Sequence, residues 1–260
     1  MRHTLISILL LLVLSSHLNA GDDSCNLRNN TFVSGETLTF KVFYALGFYV
    51  SAGEAVFTVN LEHMNNKAVY HITADGKTFG FYDSFFKVRD KYESFVDTAT
   101  LQPLKFIRNV YEGGYKKYEN VSFNKSTNTA VSTEGTVKVP NCIQDVISSV
   151  YYIRNIDFNK YKIDDKIPFS MYVGNEVFNL YIRYLGKEVV KTRKGKFNAI
   201  KFKPLLLKGN IFEGGEKMTI WVSDDANHLP LRVESPISVG SIKIDMMDSK
   251  NLRYPLTSQL

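Results

Sequence analysis

Read along the chain, apolar and polar residues alternate in short runs that recur roughly every eight to twelve positions, the spacing of a β-rich fold. In the run 36–44, Leu38, Phe40 and Val42 share one face and Thr37, Thr39 and Lys41 the other. The run 53–60 repeats this with Ala55, Phe57 and Val59. Further strands are predicted at 69–75, 84–95, 104–111 and 115–123, with a short one at 129–133. Gly113-Gly114 lies between two of these runs. Glycine reaches positive φ without steric penalty, so the pair predicts a hairpin turn. A second series is predicted at 167–173, 176–184, 188–192, 197–202, 217–222, 231–234 and 239–246. Gly174-Asn175, Leu185-Gly186-Lys187, Gly214-Gly215 and the polar stretch from Ser223 to Asn227 supply its turns.

The period changes once. After Pro140, Ile143, Ile147, Val150, Tyr151 and Arg154 fall on one helical stripe. Asn141 is the predicted N-cap, and Asp145 lies in the first turn, where the helix dipole favours a carboxylate. The expected fold class is mainly β: antiparallel sheets forming an open barrel or a sandwich, about fourteen strands, with one central α-helix at about 142–155.

Residues 1–20 break from this pattern. Met1-Arg2-His3 is a short basic start, 5–14 is apolar apart from Ser7, and the stretch ends in Leu18-Asn19-Ala20. That is the layout of a secretory signal peptide cut near Ala20, and the apolar run is too short to span a bilayer. The competing reading is a buried N-terminal helix. Residues 21–260 are then expected as one β-rich domain, or as two lobes joined near 134–160. Asp22-Asp23-Ser24 before Cys25 argues against lipid attachment at that cysteine.

Composition narrows the class. The 260 residues are 44% apolar and 22% charged, which removes disordered, collagen-like and disulfide-scaffold chains from consideration. The formal net charge of +6 is mild. The densest basic run, Lys191 to Lys196, reads as a turn rather than as a nucleic-acid face, and no nucleic-acid partner is expected. Cys25 and Cys142 are the two cysteines. Export would place them in an oxidising compartment, where such a pair usually bridges. Closing so long a loop contributes about 4–5 kcal/mol on a chain-entropy argument. Two separate buried thiols is the other reading.

No familiar catalytic pattern emerges. Asp224-Asp225 with Asn227 offers oxygen ligands for a hard cation, but equally makes an ordinary turn. His63, His71 and His228 form no ligand pair with metal-site spacing, and Ser148-Ser149 lacks a nucleophile elbow. Asp145 and Arg154, with Asp157 nearby, are expected as a structural polar cluster at the helix. No catalytic residue, metal or cofactor is predicted. Three matches to the N-glycosylation pattern, at Asn29, Asn120 and Asn124, are read as chance.

The aromatic supply, 18 Phe and 15 Tyr, is more informative. Aromatics stand on consecutive positions in 44–50 and again in 79–86, so neighbouring rings would point to opposite sides of a strand. Phe43, Phe48, Phe81, Phe85, Tyr151 and Trp221 are the candidate ligand-binding residues, for an apolar or glycan ligand. The alternative is an ordinary aromatic core.

Several phrases occur together and in order: 35–40 (Gly-Glu-Thr-Leu-Thr-Phe), 50–55 (Val-Ser-Ala-Gly-Glu-Ala), 145–154, 184–188 (Tyr-Leu-Gly-Lys-Glu), 219–230 and Val239-Gly240-Ser241. Over roughly residues 31–250 the chain resembles the bacterial Domain of Unknown Function 3108 family in its longer exported form. The resemblance implies an exported bacterial protein of mostly antiparallel β architecture, in the periplasm or outer envelope. It implies no activity, since none is established for the family. The leading expectation is a non-enzymatic binding or envelope protein that holds a lipid or other apolar ligand between sheet and helix. The alternatives are an enzyme acting on envelope polysaccharide or lipid, and a scaffold docking a protein partner through a sheet edge.

Overall fold

Alternating segments leave their backbone N–H and C=O groups pointing sideways, so each must find a neighbour. The structure, a computed structural model, describes residues 27–45, 48–207, 214–237 and 240–260. The predicted signal peptide, Cys25 and the start of the run 239–246 lie outside the described residues.

The first half of the chain forms β1 (Thr37–Ala45), β2 (Tyr49–Met64), β3 (Lys67–Thr78), a single helical turn α1 (Tyr82–Phe85), β4 (Arg89–Asp97), β5 (Pro103–Glu112), β6 (Tyr115–Asn124), β7 (Thr129–Ser132) and β8 (Gly135–Lys138). There follow β9 (Ile143–Gln144), the helix α2 (Val146–Arg154) and a 3-10 turn (Phe158–Lys160). The second half forms β10 (Lys166–Val173), β11 (Glu176–Thr192), β12 (Gly195–Pro204), β13 (Thr219–Ser223), β14 (Pro230–Pro236) and β15 (Ser241–Lys250). The mainly β architecture expected from the alternation is what the chain adopts.

All the strands belong to one sheet, in the order β8-β7-β6-β5-β4-β3-β2-β1-β15-β14-β13-β12-β11-β10-β9. Neighbours are antiparallel except β9 and β10. The chain therefore runs from the centre to one edge, crosses to the other edge and returns to the centre, where β15 pairs with β1 from Thr37↔Lys250 to Ala45↔Ser241.

This connectivity forces the sheet to roll. Laid flat, fifteen strands would separate β8 from β9 by about 67 Å. The link from Lys138 to Ile143 reaches at most about 18 Å. The curled edges meet through side chains: the Gly174 N–H donates to Glu119 Oε1 (3.1 Å), and Phe123 and Tyr172 meet edge to face at 5.6 Å.

Buried residues gather into three clusters. One packs Phe32, Ile72, Val96 and Phe106 around Ile147 and Tyr151 of α2. Another sets Tyr152, Ile156 and Phe158 against Ile182, Ile200 and Phe202. The last joins Leu38 and Phe40 to Phe197, Trp221, Leu231 and Met246 across the β1–β15 junction. The space between helix and sheet is thus filled by the chain's own rings and aliphatics.

Several sequence expectations are corrected. The helix starts at Val146, capped by Asp145 rather than Asn141, because the Asp145 carboxylate accepts from the Ile147 and Ser148 N–H groups. Ile143–Gln144 instead adds a short strand beside β10. The strand expected over 84–95 begins only at Arg89, since residues 82–85 coil into α1. The turn expected at 185–187 is a bulge inside a continuous β11, with Gly186 at φ +88°.

Candidate functional site

In an antiparallel meander alternate connections fall at the same end of the roll. The β1–β2, β3–β4, β5–β6 and β14–β15 connections share one end, and contacts bind them into a continuous rim. The Phe79 N–H donates to Ala52 O (3.1 Å), and the Gly113 N–H to Lys87 O (2.9 Å). Tyr44 of β1 meets Tyr82 of α1 edge to face at 5.7 Å. Phe86 packs against Gly113, where a Cβ would stand 2.3 Å from a ring carbon and φ is +56°, so the β5–β6 turn favours glycine there. Lys243 of β15 places its Nζ 4.3 Å from the Tyr49 ring centroid.

On this rim Phe48, Phe81 and Phe85 are 74%, 71% and 69% exposed. Tyr49, Phe86 and Tyr115 are also exposed. A four-residue helix has no intrinsic stability, and α1 contributes no buried residue. It is held from its two flanks. Thr78 Oγ1 donates to Asp83 Oδ1 (2.5 Å), and Arg89 donates to both Asp83 oxygens (3.0 and 2.5 Å). Those hydrogen bonds, from Arg89 first and Thr78 second, pull the Asp83 carboxyl down to about 2. Phe81 and Phe85, four residues apart, consequently stand side by side with centroids 4.4 Å apart.

The six ring candidates therefore separate. Phe48, Phe81 and Phe85 lie on the rim. Phe43 is turned inward by a bulge after Val42, with the Arg193 guanidinium 4.3 Å from its ring. Tyr151 is buried edge to face on Phe32 at 4.8 Å. Trp221 is buried and its Nε1–H donates to Glu188 (2.7 Å). Sequence reading missed Phe86 and Tyr115 as rim members and Lys243 as a partner. The i, i+4 spacing of Phe81 and Phe85 after Gly80 was the available signal for a helical turn.

The polar candidates stand at opposite ends of α2. Asp145 receives Ser94 Oγ–H (2.5 Å), which ties the helix start to β4, and burial pushes its carboxyl up to about 6. Arg154 donates two hydrogen bonds to the Glu36 carboxylate (2.6 and 2.9 Å), both partners being fully buried. It also reaches the carbonyl oxygens of Asn227 (3.2 Å) and Thr31 (3.4 Å). His228 Nδ1 bonds the Arg154 carbonyl at 2.6 Å, and burial lowers its imidazole below the ordinary value. Asp157 caps the 3-10 turn. Cys142 lies in the β8–β9 link. Asp225 accepts from Ser223 Oγ and the Asn227 N–H (2.9 and 3.0 Å), and Asp224 pairs with Lys187 (2.9 Å). Among the described residues no group of three His, Cys, Asp or Glu side chains converges to hold a metal ion.

Near the rim Asp90 accepts from the Tyr111 N–H (3.0 Å) and lies beside Glu112; burial first, and the neighbouring Glu112 charge second, push its carboxyl up to about 7. Beside it an open depression of about 300 Å³ is lined by Glu54, Asp75, Lys77, Arg89, Lys91 and Asn109. What this end of the molecule offers is binding chemistry, with apolar rings projecting into solvent and cationic side chains around them.

Residues 39–247 match the family described as Protein of unknown function (DUF3108). Among solved structures, a beta-barrel-like protein of Domain of Unknown Function DUF1849 from Brucella abortus is similar, with a TM-score of 0.56 and 7% identity, over 85% of this chain and 98% of that one. This likeness supports the barrel-like roll. A Bacteroides fragilis protein assigned as exported, with a YmcC-like fold, aligns at TM-score 0.35 and 12% identity, over 85% of this chain and 98% of the other. A Parabacteroides distasonis protein assigned as a lipoprotein aligns at TM-score 0.31 and 14% identity, over 86% of this chain and all of the other. No curated protein matches the chain.

Proposed function

The chain belongs to the DUF3108 family, and from that membership and the geometry of its rim we propose that it is an exported, non-enzymatic envelope protein that holds an apolar ligand at the aromatic end of the roll. One observation carries the reading: three phenylalanines are roughly 70% exposed, two of them on a connection pinned by Thr78, Asp83 and Arg89. Leaving such rings in water costs about 1.5–3 kcal/mol each relative to burial. Ordinary turns do not carry that cost, so the rings await a partner.

Export is the reading of residues 1–20, and a Cys25–Cys142 bridge would tie the mature N-terminus to the link before α2. Among the described residues no helix is long and apolar enough to cross a membrane. The ligand's place is the rim, because the helix–sheet interface is occupied by Phe32, Tyr151 and their neighbours. Docking through a sheet edge has less support, since the edge strands β8 and β9 have four and two residues.

Native mass spectrometry of protein matured and purified gently from the envelope tests this. The expected spectrum shows cleavage near Ala20, a mass about 2 Da below the dithiol form, and an adduct that leaves on unfolding and extracts into organic solvent. A bare mass, unchanged when total envelope lipid is added back, would overturn the ligand reading.

A further inference from the structure

We infer that the aromatic rim is a docking face for the surface of an anionic phospholipid bilayer, from which the apolar ligand would be drawn. The inference rests on the rim being the ligand-binding end and names the partner that end meets.

Two features of the same surface point to this partner. The first is the exposure profile. Phe48, Phe81 and Phe85 are the most exposed rings, at 69–74%, while Tyr49 and Tyr115, amphipathic rings, are 42% and 45% exposed. Exposed phenylalanines accompanied by part-exposed tyrosines suit the boundary between acyl chains and headgroups, where aromatic rings accumulate. The second is charge. The segments 43–51, 77–91, 112–117 and 236–243 carry seven basic residues, Lys77, Lys87, Arg89, Lys91, Lys116, Lys117 and Lys243, against three acidic ones, Asp83, Asp90 and Glu112. Five of the seven are paired, Lys77 with Glu54, Arg89 with Asp83, Lys91 with Glu93, Lys117 with Glu134 and Lys243 with Glu234. Lys87 and Lys116 stand outside these ion pairs and are the cations the headgroup layer would meet, while Asp90 and Glu112 face each other. The β1–β2 tip itself, 43–51, has no charged residue at all. An uncharged aromatic prow flanked by lysines fits an anionic headgroup layer, where each nearby cation adds favourable energy. A protein interface would instead be poor in lysine.

Preorganisation completes the argument. The ion pair of Asp83 with Arg89 and the packing of Phe86 on Gly113 fix Phe81 and Phe85 in their exposed arrangement before any partner arrives. The ordering entropy of the loop is therefore not charged to docking.

The test is flotation of the full mature chain with vesicles of phosphatidylcholine alone and of phosphatidylcholine mixed with phosphatidylglycerol. Binding to the anionic vesicles should exceed binding to the neutral ones by at least about tenfold and fall as salt is raised. The triple variant F48S/F81S/F85S should lose that binding while keeping its melting temperature. Lys87→Glu with Lys116→Glu should lose the preference for anionic vesicles. In F81W, tryptophan emission should shift to the blue on anionic vesicles and be quenched by lipids labelled on the acyl chain.

Equal affinity for both vesicle types, or an F81W emission unmoved by either, would overturn the inference. So would a rim-dependent dimer in solution, seen by sedimentation and abolished by F48S/F81S/F85S, which would assign the rings to a second copy. An adduct found by native mass spectrometry in a protein that ignores vesicles would leave ligand binding intact and remove the bilayer alone.

Discussion

The two ends of the rolled sheet solve the same problem in opposite ways. At the far end the turns satisfy themselves. Asp97 Oδ1 accepts the N–H groups of Ala99 and Thr100 (2.9 and 3.1 Å), Asn124 Oδ1 those of Ser126 and Thr127 (3.0 and 3.2 Å), and Asn65-Asn66 takes up positive φ directly. The buried Glu36–Arg154 pair lies beneath, locking the start of β1, the end of α2 and the β13–β14 turn together. At the aromatic end the connections lean on one another, through Tyr44 on Tyr82 and Phe86 on Gly113, and leave their largest apolar groups in water. Isolated exposed apolar residues elsewhere, such as Leu61 and Ile163, are ordinary surface. The difference teaches that the far end is built for stability and the aromatic end for contact.

Mutating the far end should therefore cost stability and little binding. Arg154→Met leaves the Glu36 carboxylate buried without its partner, which costs about 3–5 kcal/mol. The melting temperature should fall by roughly 10 °C or more, and Glu36→Gln added to it should recover part of the loss. An unchanged melting curve would break the contrast at its strongest point.

A smaller effect separates the ends by pH. Asp90, at the aromatic end, is raised to about 7, and Asp145, at the helix start, to about 6. A carboxyl whose folded value exceeds its unfolded value favours folding in its protonated form. That contribution is complete below about pH 4 and is lost as pH rises through 6 to 7. Stability should thus decline between about pH 4 and 7 and level off above. Asp90 is half-buried and its share is screened by solvent, so Asp90→Asn should flatten the upper part of that slope by about 1 kcal/mol, or about 2–4 °C. Scanning calorimetry at stepped pH reads this, and a slope untouched by Asp90→Asn would assign it elsewhere.

The smallest expected change is at the rim. Phe48→Ser, Phe81→Ser and Phe85→Ser should each move stability by no more than about 0.5 kcal/mol in either direction, because the rings are mostly exposed and Phe81 and Phe85 pack on each other rather than on the core. A chemical denaturation series checks it. A loss of several kcal/mol would show that the rings belong to the fold after all.

Much of the architecture is legible because alternation is local. Leu38 and Phe40, or Val121 and Phe123, announce their buried face within a few residues. The α2 stripe is likewise visible in Ile147 and Tyr151. What fails to show is whatever depends on a distant partner or a local override. Residues 84–88 look like strand because consecutive aromatics fit a two-sided strand. Asp83 bonded to Thr78 and Arg89 coils the chain there instead. Glu36 and Arg154 are 118 positions apart, and nothing in either neighbourhood marks them as a pair. The candidate rings were chosen by density along the sequence. That measure cannot tell a ring facing the core, such as Tyr151, from one facing water, such as Phe81, because exposure at the rim is set by which connections end up adjacent.

The central β1–β15 seam has a consequence for the life of the chain. The first strand to leave the ribosome pairs with the last, Thr37 against Lys250. Until synthesis is finished, β1 presents an open row of hydrogen-bonding groups along one side, the kind of edge that recruits strangers. No partial product can seal it, and contacts so remote in sequence form slowly. The protein is thus one whose assembly waits for its final strand.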